Sequence, residues 1–363
     1  MTLDPGTGSI RSIWDKKLNR ELVDTRETYR FAQYVYVSDA DDMPNNSLYR
    51  YGAGLQKPDL TPHPAGGGRI VKISRGAIGE CATLESSALN TARIRTEITL
   101  PTDEKRIDIE ISFEKVPTLH REAVYIAFPL SMDRPVFAYD TQNGWVDPAR
   151  DELEGGSREW YATQHWAAIH NDTWTGAIIP VDGPMVAFGD VVRGAWPKEF
   201  KPVHATIFSW LMSNYWSTNF MSSQGGSYTF RYTFVSSGKF DPAQLTRTGW
   251  EQMTPLESDT VAASVTPNSD FSASFLAVDN PDVVLSTWKR AEDGRGSVVR
   301  LTEIAGHTEG VHLNTRHMHL QRVQRCSLVE DCAGDLAVHD DGVAFDMKPF
   351  EILTLRLETR PEK

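Results

Sequence analysis

Hydrophobic and polar residues alternate at every second position in four segments of the chain: 92–100, 106–113, 228–234 and 351–357. A period of two places successive side chains on opposite faces, which is the pattern of a half-buried β-strand. In segment 228–234 one face carries only aromatic residues and the other carries Thr and Arg. We therefore predict a strand at each of the four segments.

Clusters of Gly, Pro, Asp and Asn separate these apolar segments at 62–68, 140–144 and 293–296. Such clusters end strands in turns, and the three glycines at 66–68 are interpreted as a flexible turn. Helical periodicity is nearly absent. The exception is a short helix predicted over 242–253, because Asp241 suits the N-cap and Pro242 suits the first helical position.

Many strands with frequent turns predict an all-β fold of antiparallel sheets packed face to face, with a closed barrel as the weaker alternative. The stretch from 255 to 282 is richer in Ser, Asp, Pro and Asn. We place a domain boundary there, between a large sandwich at 1–255 and a smaller β-domain at 256–363. A turn at 4–8 followed by an apolar strand resembles a hairpin whose partner strand is largely absent, which suggests a chain cut from something longer.

Composition narrows the class of protein. Of 363 residues, 40% are hydrophobic and 24% are charged, ordinary values for a globular chain with a substantial core. No apolar run approaches the roughly 20 residues of a membrane helix, so we expect a soluble chain. A formal net charge of −12, with no block of Lys and Arg, disfavours nucleic acid as a partner. The first residues lack the pattern of a signal peptide, and the compartment stays open.

The three cysteines are Cys81, Cys326 and Cys332, an odd number without the spacing of a metal site. They do not suggest a disulfide framework. Cys326 and Cys332 are close enough in sequence to pair across a hairpin, but reduced cysteines are the favoured interpretation.

Hydrolysis of a glycosidic bond requires two carboxylates that face each other across a cleft. The sequence does not show which acidic residues converge. Because the chain has 49 of them, a solvated surface charge is the favoured interpretation for any one. The candidates in the central region are Glu122, Asp140, Asp147, Asp151, Asp182 and Asp190.

Histidines offer a second kind of chemistry. The candidates are His312, His317 and His319, with His307 nearby. His317 and His319 are two positions apart and would share one face of a strand, a spacing that suits zinc if a further ligand arrives. No His-Glu-x-x-His element supports that interpretation, and a polar strand face is favoured. His165 beside Trp166 has the better functional claim, against the alternative of a satisfied structural histidine. Nucleophile-elbow, phosphate-loop and dinucleotide signatures are missing.

Segment 208–224 combines aromatic side chains with amides and a Gly pair. Carbohydrate needs both, because rings cover its C–H surfaces and amides pair with its hydroxyls. The alternative is that Trp210 and its neighbours are ordinary core aromatics. The candidate sugar-facing residues of this segment are Asn214, Tyr215, Trp216, Asn219 and Gln224.

Several short motifs occur in a characteristic order along the chain: Gly8 to Asp24 with its Asp-Lys and Glu-Leu-Val-Asp elements, an apolar strand from Glu122 ending in Phe-Pro-Leu130, Gln164-His165-Trp166, Asp182-Gly-Pro184, Asn214-Tyr215-Trp216 with Asn219, and Lys348 to Arg356. Each motif is weak alone. In this order and spacing, the chain resembles the C-terminal β-sandwich region of glycoside hydrolase family 38, the retaining α-mannosidases.

The resemblance implies a galactose-mutarotase-like supersandwich followed by a smaller β-sandwich domain. It also implies that zinc and a nucleophilic aspartate belong to a preceding α/β-barrel domain. No segment of this sequence resembles that barrel, so no catalytic residue, metal ligand or cofactor is assigned here. The implied partners are a mannoside-type glycan and an N-terminal catalytic domain of the same protein or complex.

Three functional hypotheses follow. The first is a carbohydrate-contacting region of an α-mannosidase-like hydrolase, inactive without its catalytic barrel. The second is a stand-alone mutarotase- or lyase-like enzyme in which His165 acts with Glu122 or Asp182. The third is a structural or interaction module without a ligand. Under the first hypothesis the residues expected near sugar are Asn214, Tyr215, Trp216, Asn219, Gln224 and Arg231, with His165 and Trp166 behind them.

Overall fold

A computed structural model describes residues 1–40, 59–215, 222–260, 272–315, 317–339 and 342–359. Within these ranges the secondary structure is almost entirely β, with one helix, α1, at Pro242–Met253. The strands in chain order are β1 Thr2–Asp4, β2 Ser9–Ser12, β3 Trp14–Asp15, β4 Arg20–Glu21, β5 Gln33–Asp39, β6 Leu60–Pro64, β7 Gly66–Arg75, β8 Gly79–Ala88, β9 Thr91–Pro101, β10 Arg106–Lys115, β11 Glu122–Pro129, β12 Val136–Thr141, β13 Gly144–Val146, β14 Tyr161–Ala162, β15 Ala167–His170, β16 Thr175–Pro180, β17 Met185–Phe188, β18 Thr206–Ser213, β19 Gly226–Ser237, β20 Ala277–Val278, β21 Val283–Arg290, β22 Ser297–Glu303, β23 Glu309–Asn314, β24 Leu320–Cys326, β25 Cys332–Leu336, β26 Val338–His339, β27 Gly342–Met347 and β28 Ile352–Thr359.

The chain divides into two compact units. Unit 1 comprises Met1–Thr141 and Trp145–Phe240, and unit 2 comprises Gln142–Gly144 and Asp241–Lys363. Helix α1 therefore groups with unit 2, whereas the predicted boundary at 255 falls after this helix. That boundary stays a prediction about domain organisation.

Unit 1 contains two large antiparallel sheets. The nine-stranded sheet has the order β13-β12-β15-β16-β19-β10-β9-β8-β7, and the six-stranded sheet has the order β14-β17-β18-β11-β5-β6. Alternate residues of β10 and β11, such as Ile109, Ile111, Ile126 and Phe128, belong to one buried cluster. A strand whose alternate side chains are apolar buries one face against its neighbours, so the sandwich core follows directly from the period-two pattern.

Strand β11 is buried along its whole length. Its other set of side chains, including Tyr125, joins a second cluster with Val191, Phe208 and Tyr215 on the opposite face of the six-stranded sheet. The segment that follows β17 covers this face, because Val191 and Val192 are buried in it. The six-stranded sheet is therefore covered on both faces at its centre.

Unit 2 is a smaller antiparallel sandwich. Its sheets have the orders β20-β23-β27-β26 and β21-β22-β28-β24-β25. Val299, Leu301, Leu313, Val343 and Leu355 are completely buried in its core. The all-β antiparallel fold with a larger and a smaller sandwich is thus confirmed.

The four strands predicted from alternation are confirmed as parts of β9, β10, β19 and β28. Helix α1 is confirmed with its predicted cap: the Asp241 carboxylate accepts a hydrogen bond from the backbone N–H of Gln244 at 2.8 Å, and Pro242 begins the helix. Local chemistry determines this helix start, because the carboxylate satisfies an N–H group that lacks a partner within the helix.

The prediction of a flexible turn at 62–68 is wrong. Pro62 and Pro64 lie within β6, and the three glycines begin β7, so only Ala65 separates the two strands. Strand β6 is at the edge of its sheet, where proline is tolerated because its missing N–H faces away from the neighbouring strand. Gly68 is required by close contact, since a Cβ there would lie 2.4 Å from the carbonyl oxygen of Pro5.

Two expectations about the chain ends and cysteines are also corrected. The N-terminal turn belongs to a hairpin whose partner strand is present, because β1 pairs with β2. Cys326 and Cys332 form a disulfide across the β24–β25 hairpin, and Cys81 is a free cysteine.

Among the described residues there is no helix of sufficient length and hydrophobicity to cross a membrane.

Candidate functional site

The predicted sugar-facing residues do not form one cluster. Trp216 and Asn219 lie outside the described residues, and the others occupy three places in unit 1. Asn214, Tyr215 and Gln224 flank the connection between β18 and β19, His165 and Trp166 lie between β14 and β15, and Arg231 is on the solvent face of the nine-stranded sheet.

Asn214 extends the hydrogen bonding between β18 and β11 by one residue. Its side-chain oxygen accepts the backbone N–H of Glu122 at 2.6 Å, and its amide nitrogen donates to the carbonyl of His120 at 2.8 Å. With 3% of its surface exposed, Asn214 holds the start of β11 in place. An amide suits this position because it supplies a donor and an acceptor together.

Beside Asn214, Lys115 and Glu122 form a buried ion pair inside the sandwich. The Lys115 ammonium group also donates to the carbonyls of Val116 at 3.1 Å and Gln224 at 2.9 Å. The Tyr36 hydroxyl donates to the other Glu122 oxygen at 2.8 Å. Gln224 thus contributes its backbone to this cluster, while its side chain is only half-buried.

Burial raises the pKa of Glu122, although the hydrogen bond and charge of Lys115 act in the opposite direction. Burial also raises the pKa of Tyr36, and the nearby Glu122 carboxylate raises it further. The cluster combines an acid and a cation, but both groups are enclosed. Its arrangement therefore stabilises the junction of the two sheets.

Tyr215 is a core residue with 2% exposure, in the cluster on the outer face of the six-stranded sheet. Burial raises its pKa well above the usual range for tyrosine. Trp210 packs against the same cluster, with its ring stacked on Tyr125 at 6.1 Å. These aromatics thus have the core role that the sequence left open for Trp210.

His165 has a carboxylate partner, but it is Asp140 and not the predicted Glu122 or Asp182. The Asp140 carboxylate lies 2.7 Å from His165 Nδ1 and accepts the backbone N–H groups of Gln164, His165 and Trp166 at 2.8–3.0 Å. His165 is 5% exposed and Trp166 is completely buried. The carboxylate therefore fixes the turn that places both side chains.

Among the predicted residues that the structure describes, Arg231 is the most accessible, with 57% of its side chain exposed. Its guanidinium donates to both oxygens of Asp182, at 2.8 and 2.9 Å, and this contact holds the pKa of the Asp182 carboxyl below its usual value. A two-point contact of this kind orients the arginine on the sheet surface.

The remaining acidic candidates also have partners of other kinds. Asp190 pairs with Arg193 at 2.6 Å, Asp151 pairs with Arg150 at 2.8 Å, and Asp147 accepts the backbone N–H of Ala149 at 2.9 Å. The Asp151 carboxylate also accepts the backbone N–H of Asp147 at 3.0 Å. The hydrogen bonds and ion pairs of the described residues join none of the six candidate carboxylates to another. The described contacts instead hold these carboxylates in place as ion-pair partners and hydrogen-bond acceptors.

The expectation that His317 and His319 share one face of a strand is wrong. His317 and His319 lie in the turn before β24, not on a strand, and His312 lies in β23. No group of three or more His, Cys, Asp or Glu residues that would suit a metal ion is found among the residues described.

Sequence reasoning missed one feature, a cleft beside the segment that follows β17. Its lining includes Tyr29, Glu159, Asp190, Arg193 and Phe208, and its volume is about 770 Å³. The one signal in the sequence is the mixture of charged and aromatic residues between 189 and 204, which no periodic pattern explains.

Two family models match this sequence. Residues 1–181 match the glycosyl hydrolases family 38 C-terminal domain, and residues 282–355 match the glycosyl hydrolases family 38 C-terminal beta sandwich domain. The chain belongs to the C-terminal region of glycosyl hydrolase family 38.

Individual relatives agree with this assignment. Alpha-mannosidase 2C1 of Homo sapiens is 32% identical over 144 residues, which are 38% of this chain and 13% of that protein. A family 38 glycosyl hydrolase from Enterococcus faecalis and an alpha-mannosidase from Enterococcus faecalis V583 each superpose with a TM-score of 0.64 at 12% identity. Both structures cover 98% of this chain, which spans 44% and 42% of their lengths respectively. At this identity they show the fold alone.

Proposed function

We propose that the chain is the carbohydrate-contacting C-terminal region of an α-mannosidase-like glycoside hydrolase and does not hydrolyse glycosides alone. The observation that carries this proposal is coverage: nearly all of this chain superposes on less than half of each family 38 structure. The proposed partners are a mannoside-type glycan and a catalytic domain of the same protein or complex, to which the zinc ion would belong.

Two of the described side chains support a role in contacting sugar. Arg231 is exposed and oriented by Asp182, and the half-buried Gln224 is anchored through its carbonyl, so both are available to sugar hydroxyls. Asn214 and Tyr215 are buried, so in this proposal they support the connection between β18 and β19 from the interior and do not contact the sugar. Trp216 and Asn219 remain proposed contacts on the basis of their residue types.

His165 and Trp166 belong to this proposal as positioning residues. Asp140 binds three backbone N–H groups of their turn, so the turn is held rigidly while the two rings stay enclosed. This burial favours a supporting role over the stand-alone enzyme, which requires a histidine that reaches the substrate.

The test is hydrolysis of a chromogenic α-mannoside by the pure 363-residue chain, with and without added zinc. A full-length family 38 α-mannosidase is the positive control. We expect no turnover above the blank under either condition. Zinc-dependent hydrolysis by the chain alone would reject the proposal, and anomer interconversion abolished by His165→Ala would favour the stand-alone enzyme instead.

A further inference from the structure

The cleft beside segment 189–204 has the dimensions of a ligand site. Its volume of about 770 Å³ lies within the range of about 300–1,000 Å³ that small-molecule sites occupy. The lining comes from the end of β17, the start of β18 and the segment between them, and also from residues 27–29 before β5 and residues 158–159 before β14.

The charged residues of the lining are balanced. The lining contains four acidic residues, four basic residues and one histidine, so neither an anion nor a cation is favoured by net charge. A neutral ligand rich in hydrogen-bonding groups suits this balance. The charged lining residues are Glu27, Glu159, Asp190, Glu199, Arg158, Arg193, Lys198, Lys201 and His204.

One carboxylate holds the wall of the cleft in place. Glu159 accepts the backbone N–H of Arg193 at 3.1 Å and that of Trp196 at 3.0 Å. Trp160, the next residue, contacts the ring of Trp196 edge-on at 5.2 Å. A loop fixed at two backbone positions and by an aromatic contact needs little ordering when a ligand binds.

The polar contact surface is the pair formed by Asp190 and Arg193. The guanidinium donates to both carboxylate oxygens, at 2.6 and 3.2 Å, while 37% of the Arg193 side chain and 55% of the Asp190 side chain stay exposed. A sugar hydroxyl donates one hydrogen bond and accepts others, so it satisfies a carboxylate and a guanidinium at the same time.

The apolar contact surface comes from Tyr29, which is partly exposed and packs edge-on against Phe208 at 5.6 Å between ring centres. A ring held in this way offers a flat face for the C–H surface of a sugar. We propose that this cleft binds a neutral oligosaccharide, with Asp190 and Arg193 bonding to its hydroxyls and Tyr29 contacting its apolar face.

This inference is independent of the proposed role beside a catalytic domain. It concerns binding by the chain itself at residues other than Gln224 and Arg231, so either proposal survives failure of the other. Activity on a chromogenic mannoside tests the first proposal, and equilibrium binding at the cleft tests the second.

The experiment is calorimetric titration of the 363-residue chain with α-mannotriose, with maltotriose and with inorganic phosphate. We expect saturable binding of at least one trisaccharide and no tighter binding of phosphate. Arg193→Ala should weaken trisaccharide affinity about tenfold, because the loss of one hydrogen bond to a charged group changes an affinity by about that factor. Arg322→Ala is the matched control: Arg322 makes the same two-point contact with Asp335, at 3.0 and 3.2 Å, on unit 2.

A second measurement locates the ligand. Backbone amide exchange in segment 189–204 should slow when the trisaccharide is added, and this protection should be smaller in Asp190→Asn, which keeps the shape of the side chain. The proposal is overturned if neither trisaccharide binds, if phosphate binds more tightly than both, or if Arg322→Ala weakens binding as much as Arg193→Ala. It is also overturned if protection appears elsewhere and not in this segment.

Discussion

The ammonium group of Lys115 and the carboxylate of Glu122 form an ion pair from which water is almost completely excluded. The Lys115 side chain is 0% exposed and the Glu122 side chain is 2% exposed. Lys115 ends β10 in the nine-stranded sheet and Glu122 begins β11 in the six-stranded sheet, so the pair joins the two layers of the sandwich from within.

Replacement of Lys115 by methionine should lower the free energy of unfolding by about 3–5 kcal/mol at neutral pH, because the Glu122 carboxylate then stays buried without its cation. Urea unfolding followed by tryptophan fluorescence measures this loss. Adding Glu122→Leu to the same chain should recover much of it, since no charge is then left buried. A Lys115→Met variant as stable as the parent chain would show that the pair contributes nothing.

An exposed ion pair supplies the matched control for this experiment. Arg231→Ala removes a guanidinium from Asp182, but both side chains of that pair are partly in water. We expect a change of less than about 1 kcal/mol in the free energy of unfolding. Equal losses from the buried and the exposed pair would contradict the argument from burial.

The hydrogen bonds to Asp140 predict a local effect. Asp140→Ala leaves the backbone N–H groups of Gln164, His165 and Trp166 without their acceptor in a buried site. We expect a loss of at least about 3 kcal/mol in stability, because each unsatisfied buried donor is costly. Faster amide exchange at these three residues is the direct measurement.

Asp140→Asn is the conservative comparison. The asparagine side chain keeps one acceptor, its amide carbonyl oxygen, so its loss of stability should be smaller than that of Asp140→Ala. If the amides of the turn exchange at the parental rate in both variants, Asp140 does not hold this turn.

Local patterns predicted the strands and the helix well because their causes are local. Strand β19 is buried on one face, so its aromatic residues recur with period two, and α1 begins where Asp241 and Pro242 satisfy the requirements of a helix start. The turn predicted at Pro62 and Pro64 was wrong because proline is tolerated in a strand that lies at the edge of a sheet. The local sequence does not show which strand lies at an edge. Strand order is a property of the whole fold, which a local pattern does not report.

The candidate site was predicted less well, for a physical reason. Residue types suited to sugar also suit a core: Tyr215 has the ring that a sugar would contact, yet it is buried against Val191 and Phe208. The partner of His165 lies 25 positions away, in β12, and only strand pairing brings Asp140 to it. Composition indicates which chemistry is present, whereas tertiary contacts decide which groups meet.

The disulfide between Cys326 and Cys332 makes a prediction about thiol counts. Alkylation of the unfolded chain without reductant should label one cysteine, Cys81, and alkylation after reduction should label all three. Because the bridge closes a short loop, replacing both half-cystines by serine should cost about 2 kcal/mol on the chain-entropy model. Three labelled cysteines in a chain never exposed to reductant would contradict the disulfide.

Acidification should destabilise the first unit through His170. Its ring is stacked on Phe240 at 4.0 Å, and burial lowers its pKa from the ordinary value of 6.5. The unfolded chain therefore takes up a proton at a higher pH than the folded chain does. The stabilising contribution is complete above pH 6.5 and is lost as the pH falls from there through the folded-state pKa.

His170→Phe keeps an aromatic ring against Phe240 but removes the titrating group. The free energy of unfolding, measured in urea from about pH 8 to pH 5, should thus fall less steeply for this variant than for the parent chain. His204→Gln is the control, because His204 is half exposed on the same unit and its removal leaves the buried ring in place. Parallel pH profiles for the parent and His170→Phe would mean that protonation of His170 does not oppose folding.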